Sequence, residues 1–254
     1  MKINKNDINQ NINNRKIKLN KIKNNINKKR YERVINITQS VPNFVSDFPE
    51  QEKLIILIDI VGFSKSTTRE QVYNIYLFQR FLFASILNNK INKFSNRIKI
   101  SQFIPTGDGC YIVANKCDPE IALDFIIKIL NGFTKLKDTQ GNKMYLRVSA
   151  IIGKCVPFMD LAKHINYIGE GMNEAARVLS YGQSALEDFY SKENSKASKF
   201  DLKCYSRNSI YLDNTLVSGI KEYEDKYEKL ILLKQIADKH GKKRDITVLK
   251  GIKE

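Results

Sequence analysis

The spacing of apolar residues changes several times along the chain, and each change marks an element. Lys53 to Asp59 carries the unbroken run Leu54-Ile55-Ile56-Leu57-Ile58, short and rich in β-branched residues, as in a buried strand. From Arg69 to Phe94 apolar residues (Val72, Ile75, Tyr76, Phe78, Leu82, Phe83, Ile86, Leu87, Ile91) recur at helical spacing, with Thr67 or Thr68 as cap and Glu70 in the first turn. A strand from Ile98 to Ile104 and another from Cys110 to Ala114 flank Asp108-Gly109, a dipeptide that signals a hairpin between apolar runs. Asp118-Pro119-Glu120 opens a second helix running to about Leu136, since proline suits the first helical position. Gln140-Gly141-Asn142 then turns the chain into a strand from Met144 to Lys154. Gly169 to Tyr181 is a second passage from loop to helix, Ser191 to Ser198 is polar, and a β-rich section ends in Ile246-Thr247-Val248-Leu249. Strand, helix, strand, hairpin, strand, helix, strand is the order of an α+β sandwich, with helices over a largely antiparallel sheet.

Composition changes this picture mainly at the N-terminus. The 254 residues are 42% hydrophobic, enough for a packed core. Met1 to Arg33, however, is dense in Lys, Asn and Ile, has only Asp7 and Glu32 as acids, and lacks Gly and Pro. Ile35 to Pro49, with Pro42, suits a linker. The expected organisation is therefore a basic extension and linker over residues 1–48 and one domain over 49–254. The extension reads either as a poorly ordered tail or as an arm for nucleic acid or membrane. A net charge of +16 points to polyanionic partners such as a nucleotide, a nucleic acid or an acidic membrane surface. Cys110, Cys117, Cys155 and Cys204 form no metal-type spacing with His164 or His240 and read as buried, reduced thiols. No run approaches the roughly 18 apolar residues of a membrane span, and no signal-peptide core is present. The expectation is a soluble cytoplasmic protein without stable membrane insertion.

Candidate chemistry gathers at two aspartates placed where strands end. Asp59 closes the first strand and leads into Ile60-Val61-Gly62-Phe63-Ser64, and Asp108 sits in Thr106-Gly107-Asp108-Gly109. Two carboxylates brought together at strand ends hold divalent metals suited to phosphoryl chemistry. The backbone N–H groups of a strand-to-helix passage such as Val61 to Ser64 suit phosphate. Further on, Asn173 and Arg177 stand four apart and share a helix face, an amide beside a guanidinium that suits a ribose oxygen and a phosphate. Taken singly, each of these reads equally as a cap, a turn or a surface pair.

Together they resemble the class III nucleotide cyclases, the adenylate and guanylate cyclase catalytic domains. The matching blocks are Asp59-Ile60-Val61-Gly62-Phe63-Ser64, Thr106-Gly107-Asp108-Gly109, and Asn173 through Arg177, in that order, within about residues 50 to 250. The resemblance implies a head-to-tail homodimer with two equivalent sites, the metal aspartates and the Asn/Arg pair coming from opposite subunits. It implies two Mg²⁺ or Mn²⁺ ions held by Asp59 and Asp108, with help from the carbonyl of Ile60. One ion would lower the pKa of the ribose 3′-hydroxyl for attack on the α-phosphate, and the other would hold the triphosphate as diphosphate leaves. Asn173 would position the ribose and Arg177 would stabilise charge on the α-phosphate, with Phe63 and Ser64 on the substrate side. The family's phosphate-binding lysine would be Lys239, in a stretch that reads equally as a solvated turn.

Purine cyclases of this family read the base four residues before the second aspartate and seven before the Asn. Those positions are Ile104 and Asn166 here, and neither matches the Lys/Asp pair of adenylate cyclases or the Glu/Cys pair of guanylate cyclases. With the blocks around Asp108 and Asn173, this resembles the pyrimidine cyclases of bacterial Pycsar antiphage defence. The implied function is conversion of UTP to 3′,5′-cyclic UMP, a messenger for a downstream cyclic-nucleotide-gated effector. A cytidylate cyclase acting on CTP is the alternative, then an adenylate or guanylate cyclase. A non-catalytic nucleotide- or nucleic-acid-binding regulator on the same fold is a further alternative. Retention of Asp59, Asp108, Asn173 and Arg177 argues against that last reading.

Overall fold

A computed structural model describes residues 49–87, 98–160, 162–193, 207–218, 220, 227–237 and 241–252. The basic extension, Lys239, Cys204 and the end of the first expected helix lie outside the described residues. Strand β1 (Gln51–Ile60) leads through a 3₁₀ turn (Phe63–Lys65) into helix α1 (Thr68–Leu87). Thr67 is the cap, and with Glu70 it forms a reciprocal box. The Glu70 carboxylate accepts from Thr67 N–H at 2.7 Å, and Thr67 Oγ1 accepts from Glu70 N–H at 3.4 Å. The hairpin β2 (Ile100–Pro105) and β3 (Gly109–Asn115) follows, then α2 (Pro119–Phe133).

Pro119 does open α2, but Asp118 makes no side-chain cap bond. The helix stops short of Leu136, because Leu136 N–H turns back to the Phe133 carbonyl at 2.9 Å and Lys137 bridges to Lys143. The turn at Gln140-Gly141-Asn142 is held by the Asp138 carboxylate, which accepts from the N–H groups of Gln140 and Asn142, both at 2.8 Å.

β4 (Leu146–Met159) runs five residues beyond the expected Lys154, since its far end pairs with an unexpected strand, β5 (Ile165–Ile168). Helix α3 (Glu170–Glu193) extends well past Tyr181. The chain closes with β6 (Ser209–Leu212), β7 (Tyr227–Ala237) and β8 (Lys243–Ile252). The sheet order is β2-β3-β1-β4-β6-β8-β7, with β5 on β4. Among the described strand pairs only β4 with β6 is parallel, so the sheet is largely antiparallel as expected.

Both faces of β1 are buried, which explains its unbroken apolar run. Leu54, Ile56, Ile58 and Ile60 pack with α1 and α2, whereas Ile55 and Leu57 pack with α3. α1 turns only one side to the sheet: Phe78 and Leu82 are buried, while Val72, Tyr76 and Phe83 of the same apolar set face outward. α3 sits close on β4 because Gly153 and Gly171 meet. A Cβ on Gly171 would lie 2.6 Å from Ile55 Cδ1 and 2.9 Å from the Gly153 carbonyl carbon. Ser149 Oγ donates to the Ala175 carbonyl at 2.7 Å and pins the same helix one turn on.

Candidate active site

Asp59 is the penultimate residue of β1, on the same strand face as Ile55 and Leu57, and is 7% exposed. It stands opposite Gly109 of β3 and Arg147 of β4. Gly109 allows that approach, since a Cβ there would lie 1.9 Å from the Ile58 carbonyl oxygen. The hairpin turn differs in detail from the expected Asp108-Gly109: Gly107 takes the positive φ, +97°, and Thr106 N–H bonds the Gly109 carbonyl at 3.1 Å. Gly107-Asp108 therefore forms the bend, which carries Asp108 to the end of β1, where its carbonyl accepts from Ile60 N–H at 3.0 Å. Both aspartates line one cleft, and the charge of Asp108 acts on the Asp59 carboxyl.

Burial raises the Asp59 carboxyl to about 6; Arg147 opposes the rise, and Asp108 adds to it. Arg147, which sequence reasoning missed, forms an ion pair and hydrogen bond with Asp59, and its Nε is buried with no partner among the described residues. A basic residue beginning the strand after α2 was the available signal. It had no meaning until the register placed it opposite Asp59.

An open cleft of about 300 Å³ lies over these groups, lined by Asp59, Asp108, Thr106, Tyr111 and Arg147, and on the α3 side by Ala176, Leu179, Ser180 and Gln183. Tyr111 spans it, donating from its hydroxyl to the Met172 carbonyl at 3.3 Å. The donor set fits a hard divalent cation: two carboxylates, one buried and held above its ordinary pKa in part by the other, beside the backbone of Ile60. Among the described residues no group of three or more His, Cys, Asp or Glu gathers as a metal cage. Magnesium sites commonly take one or two protein carboxylates and complete the shell with water and substrate phosphate.

The other expected residues distribute as follows. Val61 N–H is taken by the Tyr145 carbonyl at 2.9 Å, so it drops out of the phosphate-facing set. Phe63 turns its ring into the core on the α1 and α2 side, while Ser64 is exposed. Ile104 and Asn166 sit on β2 and β5, which lie against each other, and Ile104 is opposite Tyr111. Asn173 and Arg177 are on α3 but do not line the aspartate cleft. Asn173 is exposed, and Arg177 pairs with Glu174 at 3.1 Å. Glu174 also binds Lys242, at 2.9 Å, and Arg244. Lys242 is the described lysine nearest in sequence to the expected Lys239.

Of the four cysteines, Cys110 and Cys155 are buried free thiols raised by burial to about 12 and about 11, whereas Cys117 is only half-buried. No described helix is long and apolar enough to cross a membrane.

No protein-family model matches the chain, and no curated protein matches it in sequence. Solved structures do match. The guanylate cyclase domain of RhGC from Catenaria anguillulae, in complex with GTP, is 15% identical with a TM-score of 0.51, over 81% of this chain and 100% of that one. The catalytic core of a rhodopsin-guanylyl cyclase with converted specificity, in complex with ATPαS, is 15% identical with a TM-score of 0.51, over 80% and 98%. An adenylate/guanylate cyclase/hydrolase from Silicibacter pomeroyi is 13% identical with a TM-score of 0.50, over 82% and 99%. With the element order and sheet topology above, these likenesses show that the chain has the α+β fold of a class III nucleotide cyclase catalytic domain.

Proposed function

We propose that the protein is a pyrimidine nucleotide cyclase that converts UTP to 3′,5′-cyclic UMP and diphosphate. The observation that carries this is the juxtaposition of Asp59 and Asp108 at the floor of an open cleft, at adjoining strand ends of this fold. Asp59, Asp108 and the Ile60 carbonyl would hold two Mg²⁺ or Mn²⁺ ions. When bound, such ions neutralise the triphosphate and acidify a ribose hydroxyl. Asp59 is kept in place by Arg147 across the β1–β4 pair, so a carboxylate is aimed at the cleft before any ligand arrives.

Asn173 and Arg177 would orient the ribose and bind the α-phosphate. Their position outside the cleft of their own chain supports a head-to-tail homodimer in which each α3 serves the partner's aspartates. The pyrimidine reading is supported by Ile104 and Asn166, on strands β2 and β5 that touch, which carry neither purine-reading pair. A role in antiphage defence, through an effector gated by the cyclic product, follows from the resemblance to Pycsar cyclases. The cytoplasm, residues 1–48 as an extension and 49–254 as the catalytic domain complete the proposal.

The test is incubation of the purified chain with ATP, GTP, CTP and UTP separately, with Mn²⁺, and mass analysis of the products. Cyclic UMP is expected. A cyclic purine product overturns the reading of Ile104 and Asn166, and no cyclic product from any of the four overturns the enzyme assignment.

A further inference from the structure

Glu174 follows Asn173 directly and precedes Arg177 by one helical turn, and its carboxylate is shared. Among the described residues three cationic side chains converge on it. Arg177 Nη1 donates to Oε1 at 3.1 Å, Lys242 Nζ donates to the same oxygen at 2.9 Å, and Arg244 Nη1 donates to Oε2. Lys242 also donates to Glu170, one turn back on α3, at 3.1 Å. Burial works to raise the Glu174 carboxyl, but Lys242 and Arg244 outweigh it and hold it below its ordinary range, so it is an anion at neutral pH.

A Glu/Arg pair three apart on an exposed helix face holds neither partner firmly. This pair differs at its root. The Arg244 side chain is 10% exposed and that of Glu174 16%, against 28% for Arg177. Arg244 belongs to β8, where it stands opposite Ile236 of β7. Glu174 is thereby fastened to the sheet through Oε2, and Oε1 remains to hold Arg177. Glu174, Lys242 and Arg244 line a cavity of about 380 Å³, so on that side charge rather than close packing keeps the cluster together.

We infer that Glu174 is a positioning residue: anchored to β8 by Arg244, it holds the Arg177 guanidinium in the orientation that meets a phosphate. This rests on the proposed function for the role of Arg177, and it goes further by naming the group that aims it. A long side chain at the surface otherwise loses rotamer freedom each time it binds, and holding it beforehand removes that cost from the reacting step. Glu174→Gln is nearly isosteric but leaves three cations around a neutral amide, where they repel one another. Glu174→Asp keeps the charge between α3 and β8 and draws it back from Arg177 by one methylene.

The experiment compares the natural full chain with these two variants. It measures kcat and KM, with Mn²⁺, for the triphosphate that the chain turns over, and the NMR signals of the arginine guanidinium groups. In Glu174→Gln kcat should fall by about 10- to 100-fold, and in Glu174→Asp by about 10-fold, with KM within about threefold of its natural value in both. The Arg177 signal, identified by its loss in Arg177→Ala, should change from that of a held guanidinium to that of a freely rotating one. Unchanged kcat in either folded variant overturns the inference, as does a KM that rises while kcat holds. An Arg177 signal equally ordered in all three proteins overturns it too. Should Glu174→Gln fail to fold, Glu174→Asp decides alone. If the natural chain turns over no triphosphate, the cyclase reading fails, and the Arg177 signal still decides whether Glu174 holds it.

Discussion

Replacing Asp59 by Asn should change how the stability of the metal-free protein depends on pH. In the folded chain burial and Asp108 together outweigh Arg147 and hold this carboxyl at about 6, against 3.8 as its ordinary value. At pH values below about 3.8 the group is protonated in both states and contributes no pH dependence. Between about pH 4 and 6 the folded chain keeps a proton that the unfolded chain has lost, so the unfolding free energy falls as pH rises. Each unit of separation corresponds to about 1.4 kcal/mol, so the roughly two units here amount to about 3 kcal/mol, lost by about pH 7. Asn cannot titrate. The unfolding free energy of Asp59→Asn minus that of the natural chain should therefore climb by about 3 kcal/mol from about pH 4 to pH 7. Other shifted carboxyls, such as Glu174 (lowered) and Asp213 (raised), are present in both proteins and drop out of the difference. Urea unfolding followed by circular dichroism, in chelator and at stepped pH, reads it directly. Parallel profiles would refute the argument that burial controls this carboxyl. A difference falling with pH would show that the Arg147 ion pair outweighs burial. Mn²⁺ added at neutral pH should then stabilise the natural chain by about 3 kcal/mol at a hundredfold excess over its dissociation constant, and Asp59→Asn far less.

Three other outcomes are expected. Asp59→Ala and Arg177→Ala, each without cyclase activity alone, should regain part of it when mixed, because a heterodimer keeps one complete site; heterodimers that form and stay silent would sink the shared-site reading. Gly171→Ala should lower the unfolding free energy by about 1–3 kcal/mol in urea titrations, since its methyl would press on Ile55 and the backbone of Gly153. Unchanged stability would mean that α3 does not need this close seat on β4. Removing residues Met1 to Asn36 should leave turnover intact while weakening any retention on a nucleic-acid column, and loss of turnover would assign the extension to the enzyme itself.

Features set by near neighbours in the chain are legible in the amino-acid sequence alone. The box between Thr67 and Glu70, the opening of α2 at Pro119 and the Asp138-to-Asn142 turn depend on groups within four residues of one another. The buried character of β1 is legible too, because a run apolar at every position fits a strand covered on both faces. The hairpin is legible as a hairpin, but not which residues make its bend. Glycines flank Asp108 on both sides, and only the pairing of Pro105 with Cys110 selects Gly107 for the positive φ. β5 is not legible, because four residues of mixed polarity carry no period long enough to read, and their partner strand supplies the pairing.

The sequence by itself determined the class of the fold and the candidate chemistry: two aspartates at strand ends and an Asn/Arg pair on a helix face. These depend on residue type and on spacing of a few positions. Only the tertiary structure decided how they stand to one another. Arg147 meets Asp59 across 88 positions of chain. Asn173 and Arg177 fall outside the aspartate cleft, and the Asn166 side-chain oxygen accepts from Tyr167 N–H. The physical reason is strand register. A shift of one residue in the β1–β4 pair would turn Arg147 to the opposite face from Asp59, and which register holds is decided by burying both faces of β1 against helices far away in the chain.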